Sequence, residues 1–234
     1  MYLSDIFEQL THGELAHITI GGNGDEVLPS DYKKIIPHIN LGLTELHKRF
    51  NVKLNEVIID LYEHIQIYYL DQKYAQSNND STEPVKYISD SQFQPFRNDL
   101  LQILTVYNEN GEELFLNDAS QPYSVYTPSF NAIQIPYNYE ENSLGVIYRA
   151  TPDKIVYTPT IDPSTYWINL PNTLLEPLLY YIASRAFSVL NTDQNVEGNN
   201  YMQKFEMSVQ RIIDLGLMNK DTYINNRLEL AGWV

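Results

Sequence analysis

The chain has 234 residues, of which 15 are basic and 30 are acidic, so its formal net charge is −15. Proteins that grip nucleic acid neutralise phosphates with clustered Lys and Arg, and anionic membrane surfaces also attract basic segments, so this charge argues against both modes of binding. The sequence contains no cysteine, which excludes disulfides, thiolate metal sites and cysteine nucleophiles.

Nothing in the sequence predicts a targeting or membrane-spanning segment. The first ten residues, MYLSDIFEQL, contain two acidic residues and no basic one, unlike a secretory signal or a transit peptide. The longest apolar stretch, from Leu174 to Leu190, is interrupted by Glu176, Pro177 and Arg185 and is shorter than a bilayer requires. We therefore expect a soluble protein.

Two amphipathic helices are predicted near the N-terminus. The first has Ser4 as its candidate N-cap, and its apolar stripe consists of Leu3, Ile6, Phe7 and Leu10. Gly21-Gly22-Asn23-Gly24 then interrupts regular structure. The second helix covers about residues 31–50, and Pro37 either begins it or kinks it. Its apolar residues recur at intervals of three and four: Ile35, Ile36, Ile39, Leu43, Leu46 and Phe50.

Residues 54–70 fit two patterns. Some of their apolar residues would line one face of a helix, but others alternate as in a strand: Val57, Ile59, Leu61, Ile65, Ile67 and Tyr69. The density of Val, Ile and Tyr favours the strand. Residues 72–92, rich in Gln, Asn, Ser and Asp, are predicted to form an exposed, mobile loop.

Short β-strands are predicted for the rest of the middle of the chain: Leu101–Tyr107, Glu113–Leu116, Ile133–Ile135 and Gly145–Tyr148. Asn108-Glu109-Asn110-Gly111 predicts a hairpin turn between the first two. Six prolines between residues 122 and 163 exclude long helices from this region.

The last third of the chain predicts an antiparallel helical hairpin, in which the polar residues Asn191–Asn200 join two apolar stripes. Leu170-Pro171-Asn172 opens the first helix. Its apolar face consists of Leu175, Leu178, Leu179, Ile182, Ala183, Ala186, Phe187 and Leu190. The stripe of the second helix consists of Met202, Phe205, Val209, Ile212, Ile213 and Gly216.

The final residues, 218–234, contain apolar side chains without a sustained period: Tyr223, Leu228, Leu230, Trp233 and Val234. Such a tail is often ordered by another chain. These five residues are therefore the candidate partner-binding residues.

Helices at both ends and strands between them predict an α+β fold, in which N- and C-terminal helices form one bundle with a β-rich insertion. The predicted divisions are N-terminal bundle helices at 1–53, a β-rich middle domain at 54–168, a C-terminal helical hairpin at 169–217 and an extended tail at 218–234.

The histidines offer no recognisable metal site. His12 and His17 are five residues apart, which is not one helical face, and neither belongs to an H-E-x-x-H pattern. His64 and its neighbour Glu63 would point to opposite faces of a strand. Surface or capping roles are the simpler interpretation for all five histidines, which include His38 and His47.

Motifs of catalysis and cofactor binding are also missing. The segment Gly21–Glu26 lacks the Gly-Lys-Ser/Thr of a phosphate loop and the acid spacing of a calcium loop, and no G-x-S-x-G elbow occurs. The acid pairs Glu112-Glu113 and Glu140-Glu141 are interpreted as solvated. Tyrosines cluster at 68–69, 137/139 and 180–181, where they could stack sugars but more often form cross-strand or subunit contacts. We expect no enzyme, no cofactor and no metal.

Three segments taken in order resemble the adaptor, or tail tubular, proteins of short-tailed bacteriophages. They are Phe96–Gly111 with the closing Leu116-Asn117-Asp118, then Val146–Ile155, and then Leu170–Phe187 followed by the helix Tyr201–Leu217. Each motif is degenerate, and the strength of the resemblance lies in their order and spacing. Gly21–Gly24 and residues 72–92 depart from the family pattern.

The resemblance implies a structural virion protein at the head–tail junction, made in the host cytoplasm. Members form a ring, typically twelve-fold, between the portal and the tail nozzle, and DNA passes through its centre. Their helices and C-terminal tail dock onto the portal. The charge agrees independently, because an acidic wall repels a duplex and lets it slide.

Two other functions stay open. A carbohydrate-binding or carbohydrate-active surface module would use tyrosine platforms and acid pairs that converge in a cleft. A different phage part, such as a head-completion or tail protein, would share the general character of the chain but hold another position in the virion.

Overall fold

A computed structural model describes residues 1–16, 27–136, 142–188 and 195–218. The fold is α+β, with four α-helices and two antiparallel sheets in this part of the chain. Two compact units are present: one combines residues 1–52 with 152–218, and the other contains 53–151. The predicted segment Gly21–Gly24 and the predicted tail 218–234, except Met218, lie outside the described residues.

The first unit contains all four helices. They are α1 (Leu3–His12), α2 (Tyr32–Arg49), α3 (Leu175–Ser188) and α4 (Asn195–Asp214), with a 3₁₀ turn at Asn172–Leu174. Helix α3 packs against α1, α2 and α4. The predicted stripes supply the core, because most of their described residues are buried in a single apolar cluster.

The start of α1 differs from the predicted one. Tyr2, not Ser4, is the N-cap, and its backbone N–H donates to the Asp5 carboxylate at 2.7 Å. Ser4 therefore lies inside the helix, and Asp5, at the third helical position, accepts the N-cap N–H as the acidic residue of a capping box does. The predicted stripe of α1 is confirmed, since all four of its residues are buried.

Helix α2 begins at Tyr32, so the alternative in which Pro37 begins it is wrong. Pro37 lies inside the helix. Asn40, one turn later, binds the backbone of Ile155: its Nδ2 donates to the carbonyl, and its Oδ1 accepts from the N–H, both at 2.9 Å. Ile155 and Ile168 are buried in the helical core, so residues 152–168, which the sequence assigned to the β-rich domain, belong to the helical unit.

Helices α3 and α4 are antiparallel, as predicted. Phe187, near the end of α3, stacks on Tyr201, whereas Tyr181, two turns earlier, contacts Phe205 further along α4. Helix α4 already begins at Asn195, so residues 195–200 of the predicted turn Asn191–Asn200 are helical. It ends at Asp214, so the predicted stripe residue Gly216 lies outside it.

Arg49 joins the end of α2 to α4. Its Nη2 lies 2.8 Å from Glu206 Oε1, and its guanidinium lies 4.8 Å from the ring centre of Phe205. The hydrogen bond from Arg49 lowers the pKa of Glu206. A carboxyl with a lowered pKa contributes stability above its ordinary titration range and loses it as the pH falls.

We expect Arg49→Ala to lower the free energy of unfolding by about 1.5 kcal/mol at neutral pH, since a partly exposed ion pair and a cation–π contact are both lost. The difference from the wild type should shrink as the pH falls below about 4.5. Urea denaturation at several pH values measures it. Lys48→Ala, at the adjacent exposed residue, is the control; equal losses in the two variants would contradict the assigned role of Arg49.

The second unit contains two sheets. Strands β1 (Leu54–Asp60), β3 (Ile88–Ser89), β4 (Leu100–Asn108) and β7 (Ser143–Ala150) form one sheet in the order β3-β1-β7-β4. Strands β2 (Ile67–Tyr69), β5 (Tyr126–Ser129) and β6 (Ala132–Gln134) form the other in the order β2-β6-β5. The inner faces of both sheets contribute to one apolar core, which includes Val57, Val146, Tyr68 and Ile133.

The strand predicted over residues 54–70 is two strands in different sheets. The odd-numbered Val57 and Ile59 are buried in β1, but in β2 the even-numbered Tyr68 is buried while Ile67 and Tyr69 are exposed. The residues between β1 and β2 change which of the alternating side chains face the core, from the odd-numbered to the even-numbered ones. In this connection the Tyr68 hydroxyl accepts a hydrogen bond from the Tyr62 N–H at 2.7 Å.

The predicted exposed loop 72–92 is partly buried. It contains a 3₁₀ turn at Gln72–Tyr74 and strand β3, and Tyr87 and Ile88 lie in the core. The Asp90 carboxylate accepts backbone N–H bonds from Ser77 and Phe96, each at 2.8 Å. The polar composition therefore reflects side chains that bind the loop's own backbone.

The predicted strands β4, β6 and β7 are confirmed, and the predicted turn at Asn108–Gly111 is present, with Gly111 at φ +76°. The predicted strand Glu113–Leu116 is only a pair of isolated bridges, Tyr107 to Glu113 and Leu116 to Val125. Among the described residues between 122 and 163 no α-helix occurs, as the six prolines predict.

Candidate interaction surface

The sequence-predicted partner-binding residues Tyr223, Leu228, Leu230, Trp233 and Val234 lie outside the described residues. The same holds for the acid pair Glu140-Glu141 and the tyrosines Tyr137 and Tyr139.

Four of the five histidines lie in the described residues, and each has a different environment. His12 ends α1 and is exposed, whereas His47 is buried in α2, so the expectation of a surface or capping role is wrong for His47. His64 is exposed in the turn between β1 and β2, so the expectation that Glu63 and His64 lie in a strand is wrong. Burial, together with the nearby Arg185 charge, lowers the pKa of His38. Within the described ranges no cluster of three His, Asp or Glu side chains could hold a metal ion.

The acid pair at Glu112-Glu113 is exposed. Glu112 accepts a hydrogen bond from Asn108 Nδ2 at 2.9 Å, which completes the turn after β4. Glu113 is exposed beside it. This arrangement stabilises a turn and does not aim two carboxyls at a common point.

The tyrosine pairs divide between core and surface. Tyr68 is fully buried, and the hydroxyl of Tyr87 brackets the backbone of Tyr69, donating to its carbonyl at 3.0 Å and accepting from its N–H at 2.9 Å. Tyr181 packs against Phe205 between helices. Of these residues, Tyr69 is exposed, at 45%.

Tyr69 belongs to an exposed sheet face in the second unit. In the β2-β6-β5 sheet, Ile67 pairs with Gln134, and Gln134 pairs with Tyr126. Directly paired residues lie on the same side of an antiparallel sheet, so Ile67 and Tyr126 share one face. Tyr68 pairs with Ile133 on the opposite, buried face.

Phe115 extends the same face beyond β5. Leu116 forms a parallel bridge with Val125, and Val125 is buried, which places the flanking Phe115 and Tyr126 together on the outer side. Tyr123 precedes this bridge, and Phe130 lies in the turn between β5 and β6. The exposed fractions are 57% for Phe115, 67% for Tyr123 and 71% for Phe130.

We call this surface the neutral aromatic face; it consists of Ile67, Tyr69, Phe115 and Tyr126, with Tyr123 and Phe130 at its margin. The segments that build it, residues 65–70 and 114–136, contain a single charged residue, Asp118, and the acidic residues Asp71 and Glu113 lie directly beside them. In the whole chain 19% of residues are charged. Charge depletion together with exposed aromatic rings is the composition of an interface core.

The Asp118 carboxylate forms its hydrogen bonds within its own turn. Its Oδ1 accepts the N–H of Ser120 at 2.9 Å and the hydroxyl of Ser120 at 2.7 Å, and these bonds lower its pKa. Its carboxylate therefore remains charged at neutral pH and stabilises its own turn. The other polar atoms of the face are hydroxyls and amides, which can donate and accept hydrogen bonds.

Sequence reasoning missed this face. The alternation over residues 54–70 suggested that Ile67 and Tyr69 lie with Val57 on the buried side. One signal could have found it: the stretch 114–136 holds four aromatic residues and one charge.

Among the described residues no helix is both long and apolar enough to cross a membrane. No protein-family model matches the chain, and comparison with curated protein sequences gives no match.

Proposed function

We propose that this chain is a structural, non-enzymatic virion protein that forms the connector ring between the portal and the tail of a short-tailed bacteriophage. The helices would form the scaffold bundle of a twelve-fold ring, through which DNA passes without specific binding. The β-rich unit would face the next tail component, and the extended tail 218–234 would engage the portal.

One observation carries the proposal: residues 1–52 and 152–218 contribute to one helical unit, and the residues between them form a separate β unit. This is the arrangement implied by the order of the adaptor-like segments. Each unit has its own apolar core, so each can present a different surface to a different neighbour. Such a division suits a connector, which binds the portal on one side and the tail on the other.

The net charge supports the conduit. Repeating a subunit of charge −15 around a channel gives a wall that repels phosphates, so basic side chains would not hold the duplex in place. The exposed aromatic face also supports a role in assembly, because exposed apolar patches mark sites of interaction with other molecules.

The test is to express the chain with the portal protein encoded by the same genome and to examine the purified mixture by negative-stain electron microscopy. We expect an added ring of density on one side of the portal. Failure of the chain to bind the portal, with no ring in the mixture, would overturn the proposal.

A full-length variant tests the part assigned to the tail. Leu228→Ser, Leu230→Ser and Trp233→Ser together should abolish portal binding, because three apolar anchors are lost. Leu217→Ser, at an exposed residue after α4, is the matched control and should bind the portal like the wild type. If the triple variant still binds, the tail is not the portal contact.

A further inference from the structure

We infer that His38 makes the contact between α2 and α3 sensitive to pH: the neutral ring fits this contact, and protonation of the ring in mildly acidic solution weakens it. The inference concerns the helical unit alone and does not depend on the proposed ring. It assigns a role to a partly buried ionisable side chain that the proposed function does not use.

Helices α2 and α3 approach each other closely one turn away from His38. A Cβ atom on Gly42 of α2 would lie 2.7 Å from Leu178 Cδ1 and 3.1 Å from Tyr181 Cδ1 on α3. His38 lies one turn before Gly42 and therefore on the same face of α2. Arg185 lies one turn after Tyr181 on the contacting face of α3. A change of charge at His38 therefore arises beside tightly packed side chains.

The ring of His38 is suited to the neutral form. Its Nδ1 is buried and has no hydrogen-bond partner among the residues that the structure describes. In neutral imidazole one of the two nitrogens carries no proton, so a nitrogen without a donor beside it is tolerated at modest cost. In imidazolium both nitrogens carry protons, and a charged N–H that is buried without an acceptor costs much more. Protonation therefore favours conformations in which the ring reaches water.

The charges around the ring also oppose its protonation. Burial, and after it the Arg185 charge, lowers the pKa of His38. Charged groups on the other elements that contact α2 do not contribute to the lowered pKa; they include Asp5, Glu8 and Glu14 at α1, Asp153 and Lys154 beside Ile155, and Glu206 on α4.

The carboxylates of α2 and α3 are bound to groups other than His38. Asp31, at the N-cap of α2, binds Lys34, and Glu45 binds Lys48 and Arg49. On α3, Glu176 accepts the hydroxyl of Tyr180 at 3.0 Å. A protonated His38 would thus lie near the cation of Arg185 without a carboxylate of either helix to balance it.

The stability of the helical unit should therefore fall in mild acid. The unfolded chain binds a proton at His38 near pH 6.5, whereas the folded chain binds it only at lower pH. As the pH falls below about 6.5 the unfolded state holds more protons, so stability that is present above this pH is lost until the folded ring is protonated too. One histidine can raise the equilibrium constant for unfolding by at most about tenfold per pH unit.

Heteronuclear NMR of the full chain tests the inference on the wild type. We expect the His38 ring to titrate below about pH 6.5. The Leu178 methyl signals, which report the contact with Gly42, should change with the same midpoint, and in His38→Gln this change should be absent. A ring that titrates at or above about pH 6.5, or Leu178 signals that do not follow it, would overturn the inference.

Urea denaturation separates His38 from the other histidines, of which His47 is also buried in α2. Between about pH 7.5 and about pH 5.5 the urea midpoint of the wild type should fall further than that of His38→Gln. His12→Gln, at the exposed end of α1, is the matched control. The inference is wrong if the wild type and His38→Gln depend equally on pH.

Arg185→Gln tests the repulsion between the two cations. It should raise the pH at which the His38 ring titrates, whereas Arg185→Lys keeps a positive charge and should titrate like the wild type. Arg211→Gln removes an exposed cation from α4 and is the matched control. The same His38 titration in Arg185→Gln and Arg185→Lys would overturn the inferred repulsion.

Discussion

Gly198→Val is expected to lower the free energy of unfolding of the helical unit by about 3 kcal/mol, because α3 and α4 approach each other at this residue. A Cβ atom on Gly198 would lie 3.2 Å from the Ser184 carbonyl oxygen and 3.3 Å from the Ser188 backbone nitrogen. Both are backbone atoms of α3, so no side-chain rotation relieves the contact. Valine adds two further methyl groups to it.

Two variants separate this packing effect from helix propensity. Gly198→Ala should be nearly neutral, since the gain of up to about 1 kcal/mol in helix propensity offsets a shift of a few tenths of an ångström. Asn199→Val changes the exposed neighbouring residue and should cost less than about 0.5 kcal/mol. Urea denaturation followed by far-ultraviolet circular dichroism measures all three. Similar stability of Gly198→Val and Asn199→Val would contradict the close approach of α3 and α4.

The β-rich unit is expected to lose stability steeply above about pH 10, because it buries tyrosine hydroxyls. Burial, assisted by the carboxylate of Asp99, raises the pKa of Tyr148, whose hydroxyl donates to Asp99 Oδ1 at 2.9 Å. Burial also raises the pKa of Tyr87. In the unfolded chain both phenols ionise near pH 10, while the folded chain retains their protons.

The direction of this pH dependence follows from the numbers of protons that the folded and the unfolded states bind. Above about pH 10 the unfolded state holds fewer protons than the folded state, so stability that is fully present below this pH is lost as the pH rises. The loss approaches about 1.4 kcal/mol per pH unit for each tyrosine. Urea midpoints at several pH values, together with the ultraviolet absorbance of tyrosinate, measure it.

Removing one hydroxyl should reduce this slope. Tyr148→Phe is expected to remove its share of the pH dependence, and Tyr123→Phe, at a residue that is 67% exposed, is the matched control. A stability that stays flat above about pH 10 would contradict the burial of these hydroxyls.

The two predictions address the two units separately, and this bears on the proposed connector. Gly198 lies in the unit whose helices would form the scaffold, and Tyr148 lies in the unit that carries the neutral aromatic face. Comparing ring formation and portal binding in the two sets of variants would therefore assign each assembly step to one unit.

The helices could be predicted from the sequence because their evidence is local. Apolar residues at intervals of three and four define a face wherever they occur, and the stripes of α1, α2, α3 and α4 became the core of the helical unit. The exact residue at which a helix begins can depend on a single hydrogen bond, and it could not be predicted from the apolar spacing. The N-cap of α1 is Tyr2 and not Ser4, and the hydrogen bond from the Tyr2 N–H to the Asp5 carboxylate is what marks this start.

By itself the sequence determined the acidic charge, the lack of thiol chemistry and the helical faces. Only the tertiary structure decided which side of the β2-β6-β5 sheet is covered. Alternation in a strand marks two faces but does not say which one meets the core, and a single irregular turn exchanges them. Ile67 and Tyr69 are exposed for this reason: pairing with β6, a segment about 65 residues away, fixes their orientation through contacts that no local pattern contains.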